Sequence, residues 1–166
     1  MNSSLFIGRF QPFHNGHLKV IKDIMEDSES ITIVVCGPEK PNEKNPFSFE
    51  EREEMLKKVL DNEGIDHEIH EIPDVNDDDE WSGRVKKLGK FDLAYSRNPW
   101  TIRCLKKIGI PVKKHKFYER WKNCGREIRE RILEKKEWKN LVPEEVYEYV
   151  KKINGEERIR KLNKLL

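Results

Sequence analysis

The sequence predicts an α/β protein, a doubly wound parallel sheet of about five strands with helices at the C-terminal end. Short apolar runs rich in β-branched residues alternate with stretches whose apolar residues recur at helical spacing. The runs stop at chain-turning residues, Leu5-Phe6-Ile7 at Gly8 and Ile31 to Cys36 at Gly37-Pro38. A length of 166 residues with 36% hydrophobic content suits a single domain over 1–166 with a real core, and its apolar stretches are too short to span a bilayer.

Each element has a local reason. Leu5 to Ile7 and Ile31 to Cys36 read as buried strands, and Leu18, Ile21, Ile24 and Met25 form the apolar stripe of a helix between them. Ser48 and Glu51 make a capping box for a second helix with Met55, Leu56, Val59 and Leu60 on its inner face. His67 to Pro73 alternates as a third strand, and the acidic run Asn76 to Glu80 is expected in a loop. Phe91 to Tyr95 is a fourth strand, Pro99 opens a helix carrying Trp100, Ile102, Leu105 and Ile108, and Ile110 to Val112 is a short fifth strand. From Arg126 the chain is helical, through Ile128, Ile132 and Leu133, then from Pro143 through Val146, Tyr149, Val150 and Ile153, with Gly155 before a last helix. Trp100, Trp121 and Trp138 are expected to pack.

Charged residues make up 39% of the chain, yet the formal net is only +2. The sum hides a division: residues 1–83 hold 8 Lys/Arg against 20 Asp/Glu, and residues 84–166 hold 25 against 11. The basic residues are interspersed with Glu and apolar positions, which favours a solvated helical surface over a nucleic-acid tail. Cys36, Cys104 and Cys124 lie far apart with neither a disulfide framework nor a zinc spacing, so reduced thiols in a soluble, cytoplasmic protein are expected.

Function is expected where the first strand meets the first helix, at Gly8-Arg-Phe-Gln-Pro-Phe-His14-Asn-Gly16-His17. Gly8 lets a ligand approach the backbone, and the helix N-terminus offers unpaired N–H groups to phosphate. His14 and His17 put two donor-capable rings on the first turn, and Arg9 adds a forked cation. Neither GxxxxGK[ST] nor GxGxxG is present. No carboxylate or cysteine completes a metal set with the histidines, so no metal ligands are assigned.

GRFQPFHNGH resembles the HxGH signature of the nucleotidylyltransferase superfamily, in the form carried by archaeal-type nicotinamide mononucleotide (NMN) adenylyltransferases. The likeness extends along the chain: Asn45 to Arg52 is similar to NPFTAGER, Ile72-Pro-Asp74 with Trp81 to I-x-D and its tryptophan, Ser96 to Pro99 to SGNP, and Arg126 to Arg129 to the end of SGTEIR. The Leu141-Val-Pro143 and Asn154 to Arg158 stretches match as well. Gly37-Pro-Glu-Lys-Pro-Asn replaces GSAQ-x-SH, Asn123-Cys-Gly-Arg126 stands where SGT is expected, Arg97 replaces a glycine and Asp78 an asparagine.

The resemblance implies a Rossmann-like fold and transfer of AMP from ATP to NMN, giving NAD and pyrophosphate, with Mg²⁺ accompanying ATP. It implies that Arg9, His14 and His17 hold the ATP phosphates, His17 at the α-phosphoryl oxygens, while Arg129 clamps the departing pyrophosphate. Gly8, Phe10, Gly16 and Arg52 belong to the same nucleotide-binding region. Trp81 would stack on nicotinamide with Asp74 nearby, and Ser96, Arg97 and Asn98 would line the adenine end. The implied partners are ATP and a mononucleotide phosphate, with no nucleic acid and no membrane, in a homo-oligomer that is a hexamer among the archaeal-type enzymes. The alternatives are an adenylyl- or cytidylyltransferase with another acceptor, motivated by the altered 37–45 loop, and a nucleotide sensor without turnover, motivated by the missing SGT.

Overall fold

Five parallel strands form one sheet in a computed structural model that describes residues 2–164. β1 (Ser3–Gly8), β2 (Ser30–Gly37), β3 (His67–Pro73), β4 (Leu93–Tyr95) and β5 (Val112–Lys113) lie in the order β3-β2-β1-β4-β5. The chain lays β2 and β3 on one side of β1, then returns to lay β4 and β5 on the other. The connections leaving β1 and β4 therefore diverge, and the crevice between them is where open α/β sheets bind ligands.

Helices cover both faces. Phe6, Ile33 and Val35 point to one face, where α1 (Asn15–Glu26), α2 (Phe49–Asn62), α5 (Gly125–Leu133), α6 (Glu144–Lys152) and α7 (Gly155–Lys164) close the larger core. Leu5 and Val34, one residue out of phase, point to the other, against α3 (Asp78–Leu88) and α4 (Pro99–Lys107). A two-residue period with apolar groups on both faces is what a fully covered parallel strand requires.

The capping box at Ser48 and Glu51 forms as expected, each side chain bonding the other's backbone N–H. The acidic run departs from expectation. Asp77 caps a helix, its carboxylate accepting from the Glu80 N–H at 2.8 Å, and Asp78, Asp79 and Glu80 form the first turn of α3. Carboxylates favour the positive end of a helix dipole, so a run read as loop by its polarity is a helix start. β4 begins at Leu93 rather than Phe91, and β5 is shifted to Val112–Lys113. Trp138 is buried as expected, whereas Trp121 is 73% exposed and packs no core.

Candidate active site

His14 and His17 lock each other at the start of α1. The His14 ring accepts from the His17 backbone N–H at 3.3 Å, and the His17 ring accepts from the His14 N–H at 3.2 Å, in both cases at Nδ1. A ring that accepts at Nδ1 carries its proton at Nε2, so both histidines are fixed as Nε2–H donors. The rings stack with centroids 3.6 Å apart. Burial, with the Arg129 charge, pushes the His14 pKa down to about 3. Burial and the neighbouring His14 and His115 hold His17 well below its usual value. The pair is neutral near pH 7 and offers hydrogen bonds rather than charge. Gly16 makes room for this, since a Cβ there would lie 3.0 Å from both the His14 ring and Asn123 Cβ.

The N-terminus of α5 is brought against the same loop. Its cap residue, Cys124, gives no side-chain hydrogen bond, which leaves the first N–H groups to a ligand or to water. Arg129 Nη1 donates to the Gln11 carbonyl at 2.6 Å. A Cβ on Gly125 would sit 2.7 Å from Arg129 Nη1 and 2.8 Å from the Gln11 oxygen, so glycine is what permits this approach. Gln11 in turn exchanges two hydrogen bonds with the Phe47 backbone, tying the loop to the start of α2.

Arg52 proves to be a framework residue. It is 3% exposed and donates to the carbonyls of Arg9, Cys36 and Ser48 at 2.8, 2.6 and 3.1 Å, so the ends of β1 and β2 and the cap of α2 hang on one guanidinium. Burial lowers its pKa. It is neither on an exposed Glu/Arg helix face nor among the residues lining the clefts described next.

Three clefts meet at the carboxyl end of β1. One of about 550 Å³ is basic, walled by Arg9, His14, His17, Lys44, Arg126 and Arg129. A second, of about 530 Å³, lies between β1, β3 and β4 and is lined by Asp74, Trp81, Ser96, Asn98 and Trp100. The third, of about 270 Å³, runs from Gly8 and both histidines to His115, Phe117, Arg120 and Asn123. Arg9 and Asp74 line both the basic and the aromatic cleft, paired at 2.9 Å, with Asn45 accepting from the other guanidinium nitrogen. Trp81 is 2% exposed and packs edge-on against Trp100, whose indole N–H donates to Asp78. Cys36 lines the same cleft as a neutral thiol, its pKa pushed up to about 11 by burial and by Asp74.

The structure divides the Ser96-Arg97-Asn98 segment. Ser96 and Asn98 face the Trp81 cleft, Asn98 also capping α4 by accepting from the Thr101 N–H. Arg97 turns away, donating to the His115 carbonyl and lying 4.1 Å from the Phe117 ring centre. Phe10 is buried beneath the loop, where its ring would meet a Cβ on Gly8 at 2.8 Å. Lys44, His115, Phe117 and Asn123 line clefts and carry no spacing signal that marks them. Among the described residues no group of three or more His, Cys, Asp or Glu side chains is placed to hold a metal ion.

A model of the cytidylyltransferase-like family matches residues 5–158. The chain is 37% identical over 166 residues to a nicotinamide-nucleotide adenylyltransferase of Methanolobus tindarius, covering 99% of this chain and 96% of that protein. It is 33% identical to one of Archaeoglobus fulgidus, covering 96% and 97%. Among solved structures, a bifunctional NMN adenylyltransferase/ADP ribose pyrophosphatase of Francisella tularensis, complexed with AMP and a manganese ion, superposes with a TM-score of 0.82 at 25% identity. That match covers 97% of this chain, which spans about half (51%) of the bifunctional protein.

Proposed function

The chain belongs to the cytidylyltransferase-like family, and on that premise we propose that it is a nicotinamide-nucleotide adenylyltransferase, carrying AMP from ATP to the 5′-phosphate of NMN. The acceptor phosphate oxygen forms a bond to the α-phosphorus, the bond from that phosphorus to the β-bridging oxygen breaks, and NAD and pyrophosphate result. The substrate supplies its own nucleophile, so the protein's work is alignment and charge stabilisation. The observation that carries this reading is the position of Arg9, which lines a basic cleft suited to a triphosphate and an aromatic cleft suited to a flat base.

In this reading the Nε2–H groups of His14 and His17 donate to the α-phosphoryl oxygens as charge builds there. Arg129 and the N-terminus of α5 receive the β- and γ-phosphates. Gly8 and Gly16 shape the loop by admitting the Phe10 and His14 rings, and Asp74 and Trp81 receive the nicotinamide nucleotide in a cleft that Ser96 and Asn98, expected at the adenine end, also line. Arg52 acts by holding Arg9 in place. A magnesium ion bound with ATP would offset part of the triphosphate charge. Asp74 is the one carboxylate among the residues named in the basic cleft, and it is paired with Arg9. Such a donor set suits an ion held through phosphate oxygens and water rather than by a protein cage.

No helix among the described residues is long and apolar enough to cross a membrane. We expect a cytoplasmic homo-oligomer, a hexamer by its resemblance, which sedimentation would test. The reaction is tested by supplying purified protein with Mg²⁺, ATP or CTP, and NMN, nicotinic acid mononucleotide or flavin mononucleotide. The expected result is pyrophosphate release and NAD formation with ATP and NMN. Turnover only with another pair, or ATP binding without turnover, would sink the assignment.

A further inference from the structure

The basic cleft contains one arginine that its framework does not use. Arg126 lies in the first turn of α5, three residues before Arg129 and on the same face, and both line the cleft. Arg129 gives Nη1 to the Gln11 carbonyl and is partly withdrawn from solvent, which leaves its other guanidinium donors for phosphate. Arg126 has a side chain 82% exposed, and its partner among the described residues is Glu130, one turn along the same helix, at 2.9 Å. Glu130 is itself 48% exposed. An exposed i,i+4 pair of this kind is weak and screened by salt. A phosphate competes well for it, because it carries more charge and matches the guanidinium fork with two oxygens. Arg126 also stands beside the uncapped N–H groups of α5, so an anion there meets a guanidinium and a helix dipole together.

We propose that Arg126 reads the terminal phosphates, exchanging Glu130 for γ-phosphate oxygens and so giving the chain its preference for a nucleoside triphosphate over the mono- and diphosphate. Glu130 takes the guanidinium back when pyrophosphate leaves, which keeps product release from being slowed by the same contact. The exchange moves no covalent bond. It deepens the function proposed above, because it takes the basic cleft as the triphosphate site.

Calorimetric titration of the full chain with inorganic tripolyphosphate and, separately, with AMP tests this without turnover. Arg126→Ala is expected to weaken tripolyphosphate binding by about tenfold or more while leaving AMP within about twofold, the loss typical of a hydrogen bond to a charged group. Glu130→Gln removes the competitor and should tighten tripolyphosphate. Lys161→Ala deletes a positive charge on α7, paired with Glu157, and should bind like the parent. Equal tripolyphosphate affinity in Arg126→Ala, an equal loss for AMP, or an equal loss in Lys161→Ala would overturn the proposal. In turnover, Arg126→Ala should raise KM for ATP and leave KM for NMN. A parent chain that makes no NAD would instead defeat the reaction, while the tripolyphosphate measurement would still decide the role of Arg126.

Discussion

His17 shows how much chemistry a single hydrogen bond can settle. Because its Nδ1 accepts from the His14 backbone N–H, the ring presents Nε2–H whatever the bulk pH near neutrality, and its depressed pKa keeps it uncharged. A neutral donor held in place costs little reorganisation when charge develops on a phosphoryl oxygen. His17→Ala should therefore lower kcat by about 100- to 1000-fold, the loss found when one preorganised donor is removed from a transition state. Far-ultraviolet circular dichroism should be unchanged, since α1 keeps its His14 cap. Activity within a few-fold of the parent would show that the α-phosphate is held elsewhere. The donor-capable pair was legible in the sequence, because the spacing of His14 and His17 alone puts them on one turn. Their tautomer was not, because it depends on two backbone N–H groups that no residue type announces.

Arg52 makes the same point for elements. Three carbonyls, from the ends of β1 and β2 and the cap of α2, converge on one buried guanidinium. Arg52→Met keeps most of the volume and strips the Arg9 and Cys36 carbonyls of this donor, while the Ser48 carbonyl keeps the main-chain N–H of residue 52. Each buried acceptor left unpaired costs about 1–3 kcal/mol, so with two of them the variant should lose at least about 2 kcal/mol in urea unfolding. Arg9 would lose its anchor as well, raising KM for NMN. Unfolding at the parent's urea midpoint would contradict this framework role. The Arg52 contacts could not be read from sequence because its partners are main-chain atoms at positions 9, 36 and 48. The start of α3 was missed for a related reason: Asp77 to Glu80 has no apolar periodicity, and the cap that makes it a helix is a single carboxylate-to-backbone bond. By contrast, β3 and the α2 capping box were legible because their signals are wholly local.

At the scale of the molecule, the acidic and basic halves of the chain are drawn together in the fold. Arg158 pairs with Glu51 at 2.5 Å, Lys107 with Asp79 at 2.7 Å and Arg103 with Asp78 at 3.4 Å, each joining a late residue to an early one. These pairs are mostly exposed, so they set the surface more than the stability. The larger electrostatic lever on stability is buried: two histidines kept neutral. His14 titrates near 6.5 when unfolded and at about 3 when folded, and His17 is lowered in the same direction. A depressed folded pKa means the unfolded chain takes up protons first. The stabilisation is therefore whole above pH 6.5 and drains away as pH falls, at up to about 1.4 kcal/mol per pH unit for each histidine. Urea unfolding between pH 7 and pH 5 should show this decline before most carboxylates titrate. His14→Asn keeps a side-chain acceptor at the N-cap, where asparagine is favoured, but cannot titrate. In that variant the slope over the same range should be shallower, since one protonation site is gone while His17 and the likewise lowered His115 remain. A slope equal to the parent's would mean that the acid sensitivity lies outside the HxGH turn, and that the neutrality of His14 is not what the fold protects.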